Sequence, residues 1–415
     1  MSLVPRFLLP HLQAALEDTP AILITGPRQC GKSTLAHSVV LPSGRYTLDD
    51  LKVKASVEAD PEAFVSSLPA RALIDEIQRA PDLLLTLKAA IDRDRSPGRF
   101  VLTGSADLLN LPPVRESLAG RIELLSLSPF SQAELERNPV DLIAHLFSNR
   151  AELNPLQSDS SPNSPPGLSL VERVHLGGFP EVQKRTEARR ERWFSSYVTT
   201  LLERDVRDLS GVRDLSVLPQ LLTQVAAQSA GVLNSADLAR TLGLSSSTFA
   251  RYFHLLELMF LVVRLPAWSR NRLKRAVKMP KIHVLDSGLA AALLGLSTHG
   301  LARDRLWGAL LESFVVVELL RHLDSSAVQA RPYHVRTYDG LEVDLVLERS
   351  DLTLVGIEIK AGQGVMSGDF KGLRALQESE PETFMAGYLF YGGDRVLPFG
   401  AKLWAVPIRW LWQAV

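Results

Sequence analysis

Gly26-Pro27-Arg28-Gln29-Cys30-Gly31-Lys32-Ser33-Thr34 constrains this chain more than any other stretch. It follows the apolar run AILIT and precedes the helical segment STLAHSVV, so it is a turn between a strand and a helix. The spacing G-x-x-x-x-G-K-[ST] lets backbone N–H groups converge on phosphate oxygens. The helix start adds its positive dipole end, Lys32 reaches the β/γ-phosphates and Ser33 is placed to hold Mg²⁺. Residues 26–34 are therefore the candidate nucleotide site, with ATP and Mg²⁺ as the expected cofactors.

A nucleotide loop of this kind calls for acids at the end of a neighbouring strand. Ala72-Leu73-Ile74-Asp75-Glu76 supplies them, Asp75 on the metal side and Glu76 to polarise an attacking water. A third strand, Arg99 to Ser105, ends in hydroxyls and is a candidate γ-phosphate sensor; an ordinary strand end stays open as the alternative.

Apolar strands alternate with helical stretches over the first 150 residues, which predicts a parallel α/β sheet. The expected division is an ATPase domain at 1–148, a Ser/Pro-rich linker or loop at 149–169, a helical region at 170–300 and an α/β domain at 301–415. Net charge is zero, so affinity for nucleic acid would have to come from local patches. Cys30 is the only cysteine, which rules out an intrachain disulfide, fits a reducing cytoplasm and leaves a structural zinc site without thiolates. The most apolar internal runs are broken by Glu257, Arg264, Glu312 and Glu318, so no membrane association is expected.

Several segments, in order, resemble a prokaryotic family of AAA-type ATPases that carry a C-terminal domain of unknown function. They are GPRQCGKSTL, LIDEIQRAPDLL, FVLTGSADLL and SLAGRIELLSLSPFS, then Gly177 to Glu181 (GGFPE), YVTTLLERDVRDL and IHVLDSGLAAALLG. The likeness covers nearly the whole chain apart from the Ser/Pro-rich insert. It implies a catalytic role for Arg121, in the S-L-x-G-R motif, as an arginine finger or sensor; a plain surface arginine is the alternative.

Asn234 to Glu257 reads as a helix-turn-helix. Leu238, Ala239 and Leu242 form one buried stripe, Gly243 makes the turn, and Phe249, Tyr252, Leu255 and Leu256 line the second helix. The following stretch has no acid between Glu257 and Asp286 but holds Arg264, Arg270, Arg272, Lys274, Arg275, Lys278 and Lys281. A basic wing is expected, with Arg251, Arg270, Arg272, Lys274, Arg275 and Lys278 as candidate DNA contacts. Binding to a protein partner is the competing reading.

Near the C-terminus, Glu342-Val-Asp344-Leu-Val-Leu-Glu348 and Leu354-Val-Gly-Ile-Glu358-Ile-Lys360 alternate as strands. Paired as a hairpin, they would bring Asp344, Glu358 and Lys360 together. Two carboxylates can hold Mg²⁺ or Mn²⁺, and Lys360 is the candidate catalytic lysine for phosphodiester cleavage. The D-x(n)-E-x-K spacing resembles the PD-(D/E)xK nuclease superfamily, which implies a restriction-endonuclease-like fold and adds Glu312, on the preceding helix, as a metal ligand. A same-face ion pair is the alternative for E-x-K.

The expected whole is an ATP-hydrolysing protein that binds DNA, with its nucleotide state governing a nuclease-like domain. The rival is a nucleotide-dependent regulator or scaffold with an inert nuclease fold. A motor that translocates DNA would require a closed homo-oligomer, which these residues neither require nor exclude.

Overall fold

A computed structural model describes residues 3–104, 120–148, 167–210, 216–275, 278–336 and 340–413; the side chains of 203–210 and of Lys274 lie outside that set. Ser105, most of the 149–169 segment and part of the S-L-x-G-R motif therefore fall outside the described residues. Two compact units are formed. The first holds residues 1–130 with 179–181 and 258–260, and the second holds 131–178, 182–257 and 261–415. The first unit's main segment ends at 130, and the second unit spans both the helical region and the C-terminal α/β region.

The first unit is built on β1 (Ala21–Thr25), β2 (Arg45–Thr47), β3 (Ala72–Asp75), β4 (Phe100–Thr103) and β5 (Ile122–Ser126). Their order is β2-β3-β4-β1-β5, and every pairing is parallel. All five residues of β1 are buried, as a continuous apolar run between two helical layers must be. Ile22, Ile24, Leu73 and Val101 pack on one face with α1 (Leu9–Asp18) and α2 (Lys32–His37). Leu23, Ile74, Phe100 and Leu102 pack on the other with α3 (Leu51–Ala59), α4 (Pro61–Ser67) and α5 (Leu83–Arg93). Asp50 and Asp60 cap α3 and α4 with their carboxylates, satisfying first-turn N–H groups. Because β4 separates β1 from β3, its C-terminal Thr103 lies between the phosphate loop and Asp75.

In the second unit the segment read as a helix-turn-helix holds two helices, Ser235–Thr241 and Ser246–Leu258, joined by a short turn. Asn234 caps the first, and Gly243 makes the turn at φ +65°. They are followed by an antiparallel pair, β6 (Val262–Leu265) and β7 (Lys281–Val284). The segment between these strands carries a short helix, Arg272–Arg275.

The C-terminal sheet contains β8 (Ala330–Arg336), β9 (Glu342–Arg349), β10 (Leu354–Lys360), β11 (Phe384–Tyr391), β12 (Leu397–Pro398) and β13 (Leu403–Pro407). It runs β12-β13-β11-β10-β9-β8 and is mixed: β9 and β10 pair antiparallel, while β10–β11 and β11–β13 are parallel. Helix Trp307–Asp324 belongs to this unit, and its buried Glu318 accepts from Gln132 N–H at 2.7 Å. Trp410 and Trp412 are buried and Arg173 lies over the Trp412 ring, a packing role rather than a platform for bases.

Asp286 explains why two distant motifs belong together. Its fully buried carboxylate accepts from Gly178 N–H at 2.7 Å and Leu289 N–H at 3.0 Å, and Arg321 lies 3.3 Å away. A Cβ on Gly177, at φ +68°, would fall 2.1 Å from Asp286 Oδ1. Glycine is required there by the approach of a side chain as well as by backbone conformation.

Candidate functional sites

The loop 26–34 leaves β1 and enters α2, with Gly31 at φ +101° before the first helical residue. Gly26 passes against the backbone beyond β5, and a Cβ on it would lie 2.1 Å from Leu127 O. Cys30 Sγ approaches that same carbonyl at 3.2 Å, and burial pushes the thiol's pKa up. Arg6 spans the loop's outer side, donating to Cys30 O at 2.8 Å and to Ser128 O at 2.6 Å. The buried Lys32 ammonium folds onto the loop's own carbonyls, Gly26 O at 2.9 Å and Pro27 O at 2.8 Å.

Ser33 Oγ donates toward both carboxylate oxygens of Asp75, at 2.9 and 3.1 Å. Thr103 Oγ1 donates to Asp75 as well and accepts from Glu76 N–H at 3.3 Å. Glu76 holds a left-handed backbone at φ +60°, and its carboxylate takes a hydrogen bond from the Gln78 amide. The site thus gathers Lys32, Ser33, Asp75, Glu76 and Thr103 at one end of the sheet. A hydroxyl beside a carboxylate is an oxygen donor set that suits a hard cation such as Mg²⁺. Thr103 ends its strand beside the two acids.

Arg121 lies elsewhere. It precedes β5, whose Ile122 is level with Ala21, so it sits at the edge of the sheet opposite the loop that follows Thr25. Its guanidinium makes a two-pronged pair with Asp92, 2.7 and 3.0 Å, which holds the Asp92 carboxyl below its usual range. Four residue steps of strand, about 13 Å, separate the two edges. Arg121 is thus placed at the strand-start edge of the sheet, paired with Asp92, and away from the edge where the loop lies.

The carboxylates of the second unit do converge. Strands β9 and β10 pair with Leu345 opposite Ile357, placing Asp344 beside Glu358. Asp344 Oδ2 accepts from Ile359 N–H at 2.9 Å. The neighbouring helix Lys371–Ser379 can approach only because Gly372 has no side chain; a Cβ there would lie 2.4 Å from Glu358 Oε1 and 1.9 Å from Glu342 O. Burial, then the nearby Asp344 carboxylate, drives the Glu358 pKa upward, and the same two causes raise that of Glu312.

Two features of this cluster depart from expectation. Lys360, the expected catalytic lysine, is turned to an ion pair with Asp369. Lys281, expected in the basic strip, is instead buried among the acids. Its ammonium lies 2.6 Å from Glu312 Oε1, 2.6 Å from Glu342 Oε1 and 2.9 Å from Asp344 Oδ1. Burial opposes the ammonium's charge, but Asp344, Glu312 and Glu342 outweigh it and hold its pKa above the ordinary value. Sequence reasoning missed Lys281; the available signal was a lysine at the head of the apolar strand KIHV, all four residues of which are buried.

The basic strip is also reduced. Arg275 pairs with the buried Glu348 at 2.6 Å and lies over the Trp268 and Tyr333 rings, so it serves packing rather than a DNA surface. Arg264 is paired with Glu257 at 2.8 Å. Arg251, Arg270 and Arg272 are exposed and Lys278 is half-buried. Arg272 stands 3.9 Å from Glu348, and the Lys274 side chain lies outside the described residues.

One other group, His175, Glu187 and Glu191, brings ligand atoms within 4.8 Å of one another. Both His175 nitrogens are already engaged, Nε2 with Leu296 O at 3.0 Å and Nδ1 with Arg190 at 3.2 Å, so the ring has no lone pair free for a metal. Among the described residues no helix is long and apolar enough to cross a membrane.

The fold and the loop define a P-loop ATPase domain of the AAA type, and a model described as AAA domain matches residues 18–136. Two models described as domains of unknown function, DUF8612 and DUF4143, match residues 168–300 and 307–411. The chain belongs to a family that includes two proteins described as uncharacterized, from Mycobacterium tuberculosis and Mycobacterium bovis. Each is 34% identical over 84% of this chain and 72% of its own length. An uncharacterized protein of Haemophilus influenzae is 24% identical over 67% of this chain and 63% of its own. Among solved structures, a Walker-type ATPase of Pyrococcus abyssi is similar at 15% identity and a TM-score of 0.37, covering 69% of this chain and 94% of that one. Cdc6p of Pyrobaculum aerophilum is similar at 14% identity and a TM-score of 0.25, covering 71% and 96%.

Proposed function

We propose that this chain hydrolyses ATP with Mg²⁺ and uses the nucleotide cycle as a switch for binding DNA. The observation that carries the reading is the Ser33–Asp75–Thr103 chain of hydrogen bonds beside the Lys32 loop. Residues 26–34 would cradle the phosphates, and Lys32 would exchange the Gly26 and Pro27 carbonyls for phosphate oxygens. Ser33 and Asp75 would hold the metal, which when bound neutralises phosphate charge. Glu76 would orient the attacking water. The exposed face of helix Ser246–Leu258, with Arg251 and His254, is the surface proposed to meet the duplex, helped by Arg270, Arg272 and Lys278.

A second reading gives the C-terminal unit Mg²⁺- or Mn²⁺-dependent phosphodiester cleavage, and the convergence of Glu312, Asp344 and Glu358 favours it. The experiment is one set of incubations: purified chain with ATP, then with plasmid DNA and Mg²⁺ or Mn²⁺, beside Lys32→Ala and Glu358→Ala. Phosphate release lost in Lys32→Ala supports the switch, and full release in that variant would sink it. Nicking lost in Glu358→Ala supports cleavage. No nicking by the wild-type chain or by Lys281→Met, with ATP still turned over, leaves the C-terminal unit as a regulatory or scaffold element.

A further inference from the structure

An ammonium ion carries three hydrogens, and Lys281 has three carboxylate partners. Glu312 and Glu342 lie 2.6 Å from Nζ and Asp344 lies 2.9 Å from it, while the side chain is only 1% exposed. No donor is left over for a water or a phosphate oxygen. The acids come from helix Trp307–Asp324 and from β9, so elements distant in sequence close around one cation. A surface ion pair does not look like this. Burying an ammonium is unfavourable unless acids surround it, and acids that meet without a cation repel one another.

The seat is also oriented. Asp344 Oδ2 accepts from Ile359 N–H at 2.9 Å, which leaves Oδ1 for Lys281. Lys360, one residue beyond Ile359, is held by Asp369 outside the cluster. Among the described residues Lys281 is thus the cation that this group of acids holds.

We propose that Lys281 is a tethered occupant of a divalent-cation seat formed by Glu312, Glu342, Asp344 and Glu358. While its ammonium is in place the cluster takes no metal and activates no water. This rests on reading the acids as a nuclease-type metal site and adds to it the group that keeps the site closed. Removing the ammonium leaves four acids without a counter-charge, and a divalent ion then becomes the best available replacement.

The test titrates full-length, nucleotide-free chain with Mn²⁺, read by electron paramagnetic resonance and by the shift in Tm. Wild type, Lys281→Met and the double variant Lys281→Met/Asp344→Asn are compared. The expected result is one Mn²⁺ bound by Lys281→Met at least about tenfold more tightly than by wild type, with a Mn²⁺-dependent rise in Tm, both lost in the double variant. Wild type binding Mn²⁺ as tightly as Lys281→Met overturns the proposal. So does a folded Lys281→Met that binds none. If Lys281→Met does not fold, Lys281→Met/Glu342→Gln, which drops one acid with the ammonium, carries the same comparison. Mn²⁺ taken up only without Lys281, yet with no cleavage of DNA, upholds this inference and removes the nuclease reading.

Discussion

Ser33 and Asp75, 42 residues apart, share a hydrogen bond at the mouth of the phosphate loop, with Ser33 Oγ 2.9 Å from Asp75 Oδ1. The parallel sheet makes this approach possible, because β1 and β3 end at the same edge with only β4 between them. Asp75→Asn keeps the shape but removes the charge opposite the metal position. It is expected to cut the ATPase rate about 100-fold or more, with the chain still folded by circular dichroism. A rate within threefold of wild type would remove Asp75 from the site.

Gly26→Ala tests the loop without touching a charge. Its φ of +142° and the Leu127 carbonyl 2.1 Å from the added Cβ leave the methyl no room. The loop must shift, so equilibrium binding of a fluorescent ATP analogue is expected to weaken by about 1–3 kcal/mol, or roughly 5- to 150-fold. Unchanged affinity would mean that these backbone groups do not hold phosphate.

The basic segment separates into two classes of cationic side chain. Arg270→Gln, Arg272→Gln and Lys278→Gln together should weaken duplex binding and reduce its salt slope by up to about 0.9 for each phosphate left without its cation. Arg275→Gln acts otherwise. It strips Glu348 of its nearest cation, leaving the Trp268 N–H, and is expected to cost about 1–3 kcal/mol of stability, measured by urea unfolding. A triple variant with an unaltered salt slope would take this segment out of the interface.

His334 makes stability depend on pH. Burial first, then the positive charges of Lys281 and Lys278, lower its pKa to about 4, against the opposing Met279 carbonyl and Glu342. The unfolded chain, with His near 6.5, binds the extra proton between pH 6.5 and 4, so the native state loses stability as pH falls through that window and loses no more below it. His334→Gln removes this dependence. Measured as wild type minus variant, stability should fall by about 2 kcal/mol between pH 7 and pH 5. A difference that stays flat with pH would show that the native ring takes up its proton as readily as the unfolded one.

What the sequence alone determined is local. The phosphate loop could be read because its residues are consecutive and its glycines meet backbone demands inside the turn; Gly31 is left-handed, and Gly26 has no space for a side chain. The alternation of β9 and β10 set Asp344 and Glu358 on one face, since side chains in a strand repeat every two residues. The two helices on either side of Gly243 followed from an apolar stripe and one glycine.

Tertiary structure decided which charges meet. Lys281 reaches Asp344 across 63 residues and Arg275 reaches Glu348 across 73, while Lys360 takes Asp369 and Arg121 takes Asp92. A lysine in a basic run reads as a surface charge until packing removes its water. Once buried, it is stable only where carboxylates from elsewhere in the fold surround it, and no spacing within the run encodes their arrival.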